Sequence, residues 1–181
     1  MKEYPPSVLK KLSAAILNQI DNLSLIASEF SSFAKMPSLK LEKFDLVPVL
    51  KDTVHLFGDE EAEIKFISDV EKVIVESDIS QMRRMFINLI RNSIQAKANV
   101  ITIKLSIESL YSIIDISDDG IGVTPENQNK IFETNFTTKE KGLGLGLKLI
   151  KRFLENTGGE IKLLSSSSTG TVFRIKIPVK S

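Results

Sequence analysis

The sequence predicts an α+β domain, a mixed sheet covered by helices on one face, preceded by one long helix. Three observations predict it. Strand-like and amphipathic helical stretches mix between Val47 and Lys180 without the strict alternation of a parallel βα repeat. Apolar residues from Leu9 to Phe33 recur at alternating spacings of three and four, the seam of a coiled coil or helical bundle. Of 181 residues, 42% are hydrophobic and 26% charged, the balance of a chain able to bury a real core.

The long helix opens after Pro5-Pro6, since proline tolerates only the first helical turn. Its seam is Leu9, Leu12, Ile16, Gln19, Leu23, Ile26, Phe30 and Phe33, and Pro37 ends it. The heptad outlasts an average helix and is almost purely apolar, so a homodimer through Leu9 to Phe33 is expected, with Gln19 helping to fix register. Packing of the same stripe on the chain's own globular part is the alternative. Leu39 to Asp45 reads as a linker. The domain division is 1–37 for the helix, 38–46 for the linker and 47–181 for the globular part.

A short helix is predicted from Val47 to Phe57, with Val47, Leu50, Val54 and Phe57 on one face. His55 lies on it as an ordinary packed or solvated histidine. Ile64–Ile67 and Val73–Val75 read as strands around Asp69-Val70-Glu71-Lys72. Ser77 or Asp78 caps a helix running to about Lys97, with Gln81 at capping-box spacing from Asp78. Met82, Phe86, Leu89, Ile90 and Ile94 form its core stripe, and Arg84, Asn88 and Asn92 lie four apart on another face. Strands follow at Val100–Ile107 and Tyr111–Ser117, a short helix at Pro125–Phe132, and a polar mobile loop at Glu133–Lys141. Gly146–Glu155 is an amphipathic helix with Leu149, Ile150, Phe153 and Leu154 inward, ended by Gly158-Gly159. A hairpin of Glu160–Leu164 and Thr171–Ile177, joined by a serine-rich loop, closes the chain.

Composition narrows the chemistry. A formal net charge of +1 provides no global field for nucleic acid or a membrane surface. With no cysteine and one histidine, disulfides, thiolate sites and multi-histidine zinc are excluded, and magnesium on oxygen ligands stays open. No apolar run spans a bilayer, and the first residues lack the apolar core of a signal peptide. The chain is therefore expected to be soluble and cytoplasmic, and a longer parent could carry an inner-membrane anchor.

Two glycine-rich turns suggest a nucleotide site. Asn88 and Asn92 project amide oxygens to one side of a helix, suitable for magnesium when phosphates supply the charge; facing water is the plainer possibility. Asp118 ends a hydrophobic strand, where its carboxylate can accept from the exocyclic amine of adenine, while guanine would oppose it with a carbonyl. Gly120 and Gly122 would let the backbone pass close to a flat base. Asp-Gly is also a common hairpin turn. Gly142-Leu143-Gly144-Leu145-Gly146 is neither a P-loop nor a dinucleotide fingerprint. It opens a helix, whose free N–H groups favour phosphate, unless it is only a flexible joint.

Together, Asn88-Leu89-Ile90-Arg91-Asn92-Ser93, Asp118-Asp119-Gly120-Ile121-Gly122, Ile131–Lys139, Gly142–Leu147 and Thr169-Gly170-Thr171 resemble the N, G1, F, G2 and G3 boxes of sensor histidine kinases, in the family's order. The wording is nearest to nitrogen-regulation-type members of the superfamily that includes gyrase, heat-shock chaperone and mismatch-repair ATPases. The resemblance runs from about Phe44 to Val179. It implies a Bergerat-type ATP-binding α/β sandwich. In that reading Asn92 and Asn88 hold magnesium and phosphate oxygens, Asp118 reads adenine, and Gly120 and Gly122 shape the base pocket. Thr171 supports Asp118 and the base; Gly142, Leu143, Gly144, Leu145 and Gly146 cover the phosphates, and Lys139 contacts them.

The implied function is the ATP-binding catalytic part of a two-component kinase, passing the γ-phosphoryl of ATP to a histidine and on to a response regulator aspartate. Asn22–Pro37 resembles the second helix of the family's dimerisation hairpin. The histidine of the preceding helix has no counterpart, because His55 lacks its Glu-x-x-Asn-Pro setting, so no self-phosphorylation is expected. Ser93 stands where alanine is usual, Asp119 where asparagine is frequent, Thr134-Asn135 for a common Pro-Phe, and Gln95 for a lysine many members carry. A non-catalytic dimerisation or regulatory module, or an anti-sigma-type serine kinase, are the alternatives; the Asp118/Asn92 pair argues against the first and the seam helix against the second.

Overall fold

The computed structural model describes residues 38–133 and 146–180, with Pro5, Ser13 and Ile20 as isolated positions. The helical seam from Leu9 to Phe33 and the break at Pro37 lie outside the described residues.

The chain runs β1 (Glu42–Asp45), α1 (Leu46–His55), β2 (Glu63–Ser68), β3 (Ile74–Ser77), α2 (Ile79–Gln95), β4 (Val100–Glu108) and β5 (Tyr111–Asp118). It continues through α3 (Pro125–Gln128), α4 (Gly146–Asn156), β6 (Glu160–Ser167) and β7 (Gly170–Pro178). Five strands form one mixed sheet in the order β2-β4-β5-β7-β6, parallel only between β2 and β4. That single parallel pair needs a crossover, which the stretch containing α2 supplies.

Alternation decides which face of the sheet is buried. Ile101, Ile103 and Leu105 of β4, Ile114 and Ile116 of β5, and Phe173, Ile175 and Ile177 of β7 are all buried, at every second position. They join Leu46 and Leu50 of α1, Met82, Phe86, Leu89 and Ile90 of α2, and Ile150, Phe153 and Leu154 of α4 in one core. The predicted stripe of α2 is present, except that Ile94 is only partly buried. The left-handed Gly158 (φ 75°) lets the chain leave α4, and Gly159 N–H bonds back to the Leu154 carbonyl at 2.7 Å.

The structure changes three of the boundaries expected from sequence. The end of the expected linker is a strand, because β1 pairs antiparallel with β3 in a separate two-stranded sheet. Accordingly β2 and β3, neighbours in sequence, do not pair with each other. Asp45 caps α1 through Val47 N–H at 3.1 Å and also accepts Val73 N–H at 3.0 Å, which joins the two strands at their ends. Asp78 caps α2 through Gln81 N–H, and its other oxygen accepts Lys40 N–H, each at 3.0 Å. The predicted helix after Pro125 stops at Gln128 and continues as turns. The serine-rich loop is mostly strand, since β6 continues through Ser167 past a bulge between Leu163 and Ser165.

On the sheet's outer face, Arg174 of β7 makes a two-pronged ion pair with Asp115 of β5, at 2.8 and 2.7 Å. Both side chains are less than one-third exposed. Asp115→Ala is expected to lower unfolding stability by about 1–2 kcal/mol, read as a lower urea midpoint, because it leaves a half-buried guanidinium unpaired. The more exposed Arg83–Asp52 pair at 3.1 Å should contribute under about 1 kcal/mol in the same assay.

Candidate functional site

Helix α2 and strand β5 converge at Asp118. It is the last residue of β5, facing Ile101 on β4 and Thr171 on β7 in the sheet register. Its Oδ2 accepts the Ser93 hydroxyl of α2 at 2.7 Å, and its Oδ1 accepts Gly120 N–H at 3.0 Å. The chain then folds back on α2, where Ile121 N–H bonds the Ala96 carbonyl at 2.9 Å and buries Gly120.

Asp119 is turned the other way. Its exposed carboxylate accepts the backbone N–H groups of Asn99 (2.7 Å) and Val100 (2.9 Å), fastening this loop to the start of β4. The Val100 N–H above all holds its carboxyl below the ordinary 3.8. A folded value below the unfolded one stabilises above the unfolded value, and the contribution is lost as pH falls through the folded one. Comparing acid unfolding of the native chain and Asp119→Ala should therefore show curves that differ at neutral pH and converge in acid.

Gly122 has φ +68°, and a Cβ there would lie 1.8 Å from the Ser167 carbonyl oxygen, so only glycine fits between the loop and β6. The neighbouring anchor is a small polar network. Ser166 Oγ accepts Val123 N–H at 2.8 Å and shares a hydrogen bond with Thr171 Oγ1 at 3.0 Å. Gln128 Nε2 of α3 donates to the carbonyls of both Val123 (3.1 Å) and Ser166 (3.0 Å). Thr171 is 5% exposed, so its hydroxyl is committed to this network.

Asn88 and Asn92 are half-buried on α2, one turn apart, with Asn92 adjacent in sequence to Ser93. Gly146, the first residue of α4, abuts Asn88: a Cβ at Gly146 would sit 2.7 Å from Asn88 Nδ2. The start of α4 is thus brought against the asparagine face of α2. Lys139, Gly142, Leu143, Gly144 and Leu145 lie outside the described residues, as does most of the expected polar loop.

Of the residues singled out in the sequence, Asn88, Asn92, Asp118, Gly120, Gly122, Gly146 and Thr171 therefore gather around one region. Ser93, Ser166, Gln128 and Asp119 belong to the same construction and were not singled out as site residues. Nothing in a run of four serines distinguishes Ser166 until the bulge in β6 sets its register. Among the described residues no cluster of three or more histidines, aspartates or glutamates could cage a metal. The amide oxygens of Asn88 and Asn92 suit a cation whose other ligands are phosphates and water. A separate cavity of about 620 Å³ lies between α3, α4 and β6, with Phe132, Ile161 and Leu163 in its lining. None of the sequence-predicted site residues among the described ones lines it.

Residues 77–181 match the histidine kinase-, DNA gyrase B- and HSP90-like ATPase family. Among curated proteins, sporulation kinase C of Bacillus subtilis is 31% identical over 92% of this chain and 40% of its own length. Sensor histidine kinase ZraS of Salmonella typhimurium is 29% identical over 93% of this chain and 38% of its own length. The chain thus spans well under half of either relative. Among solved structures, the catalytic domain of histidine kinase ThkA superposes with a TM-score of 0.70 at 29% identity, covering 77% of this chain and 95% of that one. ThkA in complex with response regulator protein TrrA gives a TM-score of 0.81 at 26% identity, covering 98% of this chain and 53% of that one.

Proposed function

The chain belongs to the histidine kinase-, DNA gyrase B- and HSP90-like ATPase family, and on that premise we propose that it is the ATP-binding catalytic part of a two-component sensor histidine kinase. The observation that carries the reading is the shared scaffold of α2, which presents Asn88 and Asn92 beside a Ser93 that grips Asp118 at 2.7 Å. Base recognition and phosphate handling would then be fixed relative to one another by a single rigid helix.

In this reading Asp118 accepts the exocyclic amine of adenine, and the loop at Gly120 and Gly122 lies along the base. Thr171 supports that wall through Ser166. Asn88 and Asn92 hold magnesium, which when bound neutralises phosphate charge, and the start of α4 faces the phosphates together with Lys139 and Gly142–Gly146. Catalysis would rest on positioning and electrostatics. The γ-phosphoryl would pass to a histidine outside this chain, then to an aspartate of a response regulator receiver domain. In this reading the reaction takes place in the cytoplasm, and the seam from Leu9 to Phe33 would pair two copies.

Calorimetric titration with ATP, with and without magnesium, tests the nucleotide reading. Magnesium-assisted binding is expected; no binding in either condition would overturn it. Gly146→Ala should then weaken ATP about tenfold, because the new Cβ crowds Asn88, and leave adenosine binding within twofold of native. Equal losses for both ligands would show that Gly146 serves the fold and not the phosphates. Incubation with γ-phosphate-labelled ATP should leave the chain unlabelled, and acid-labile label on His55 would refute the assignment of the acceptor to another helix. Sedimentation should find a dimer, and a monomer at high micromolar concentration would remove the seam from the assembly.

A further inference from the structure

Ser93 is buried on α2, at 4% exposure, and its hydroxyl has two acceptors within reach. A helical serine ordinarily bonds the carbonyl four residues back. Here that carbonyl, Leu89 O, is 3.5 Å away, while Asp118 Oδ2 on β5 is at 2.7 Å. With only one proton to give, the hydroxyl commits it to the carboxylate. Asp118 is therefore gripped by a donor at each oxygen, Ser93 on one and Gly120 N–H at 3.0 Å on the other.

This matters because the terminal torsion of an aspartate is soft and nearly two-fold, so an ungripped carboxylate rotates freely about it. A carboxylate offers about four lone-pair positions. The two protein donors fix the plane and leave the remaining positions at set directions for a ligand. We propose that Ser93 is a positioning residue that sets the purine selectivity of this site, by holding Asp118 as an oriented acceptor for the 6-amino group. The inference rests on the nucleotide reading above and deepens it.

The test compares ATP with purine riboside triphosphate, which lacks only the 6-amino group, by calorimetry on the native chain, Ser93→Ala and Ser93→Thr. Alanine is the best helix former and adds no atoms, so Ser93→Ala is expected to fold, as its thermal unfolding would record. The native chain should prefer ATP. Ser93→Ala should cut that preference about tenfold, almost all through weaker ATP binding, with the purine analogue within twofold of native. Ser93→Thr, which returns the hydroxyl, should restore the preference.

A merely structural serine would weaken both ligands equally and leave their ratio unchanged, and that result overturns the proposal while the nucleotide site stands. A Ser93→Ala chain as selective as native overturns it in the same way. A native chain that binds neither triphosphate removes the site itself, and this inference with it.

Discussion

Asp118→Ala should lower ATP affinity by two orders of magnitude or more while leaving the chain folded. The residue ends β5 and is only half-buried, so its loss opens no large cavity. What it removes is the sole acceptor for the Ser93 hydroxyl at short range and the partner of Gly120 N–H. Two donors are then left facing the place where adenine's amine, a third donor, would sit. Unpaired polar groups in a binding site are what make such sites discriminate by factors of about 10⁴ or more. Asp118→Asn is a sharper version, since it keeps the shape and replaces one acceptor oxygen by an amide donor. It should bind ATP nearly as poorly as the alanine variant. Calorimetry on both variants measures this, and a dissociation constant within threefold of native for either would mean that the base is read elsewhere.

Phe86→Ala should destabilise the chain by about 3–5 kcal/mol, a large part of what a domain of this size possesses. Phe86 is completely buried on α2 and belongs to the core that fills the space between that helix and the sheet. Truncation removes the transfer free energy of the ring and leaves a cavity that the surrounding core closes only in part. Because the same helix carries Asn88 and Asn92 on another face and Ser93 two turns along the buried one, loosening it should also lower ATP affinity. Saturating ATP should then recover part of the lost stability, as it binds only the folded chain. Urea unfolding with and without nucleotide measures both effects. A midpoint shift worth less than about 1 kcal/mol would place Phe86 outside the functional core.

How much of this was legible beforehand follows the range of each interaction. The cap at Asp78, the core stripe of α2 and the end of α4 at Gly158-Gly159 all depend on residues within a few positions of one another. Helical period and capping chemistry encode such features directly. The position of Asp118 at a strand end, and the pairing of Asn88 with Asn92 along a helix, are equally local. So were the glycine turns that carried the family resemblance, and they led to the nucleotide reading.

Pairing between distant segments was not legible. The stretch before Asp45 carries no strand signal strong enough to stand alone, and becomes β1 only because β3 is available beside it. The serine run is polar enough to read as a loop, yet continues β6 because β7 satisfies its backbone hydrogen bonds. Ser93 and Ser166 show the same limit at the site. Each is an unremarkable hydroxyl in sequence, one inside a helix and one among four serines. The sequence by itself determined the helices, most of the strands, the core faces and the residue types proposed for the nucleotide site, because periodicity and turn chemistry act within a few residues. The tertiary structure alone decided which hydroxyl meets which carboxylate, because a hydrogen bond between positions 25 residues apart depends on a strand and a helix packing in one register.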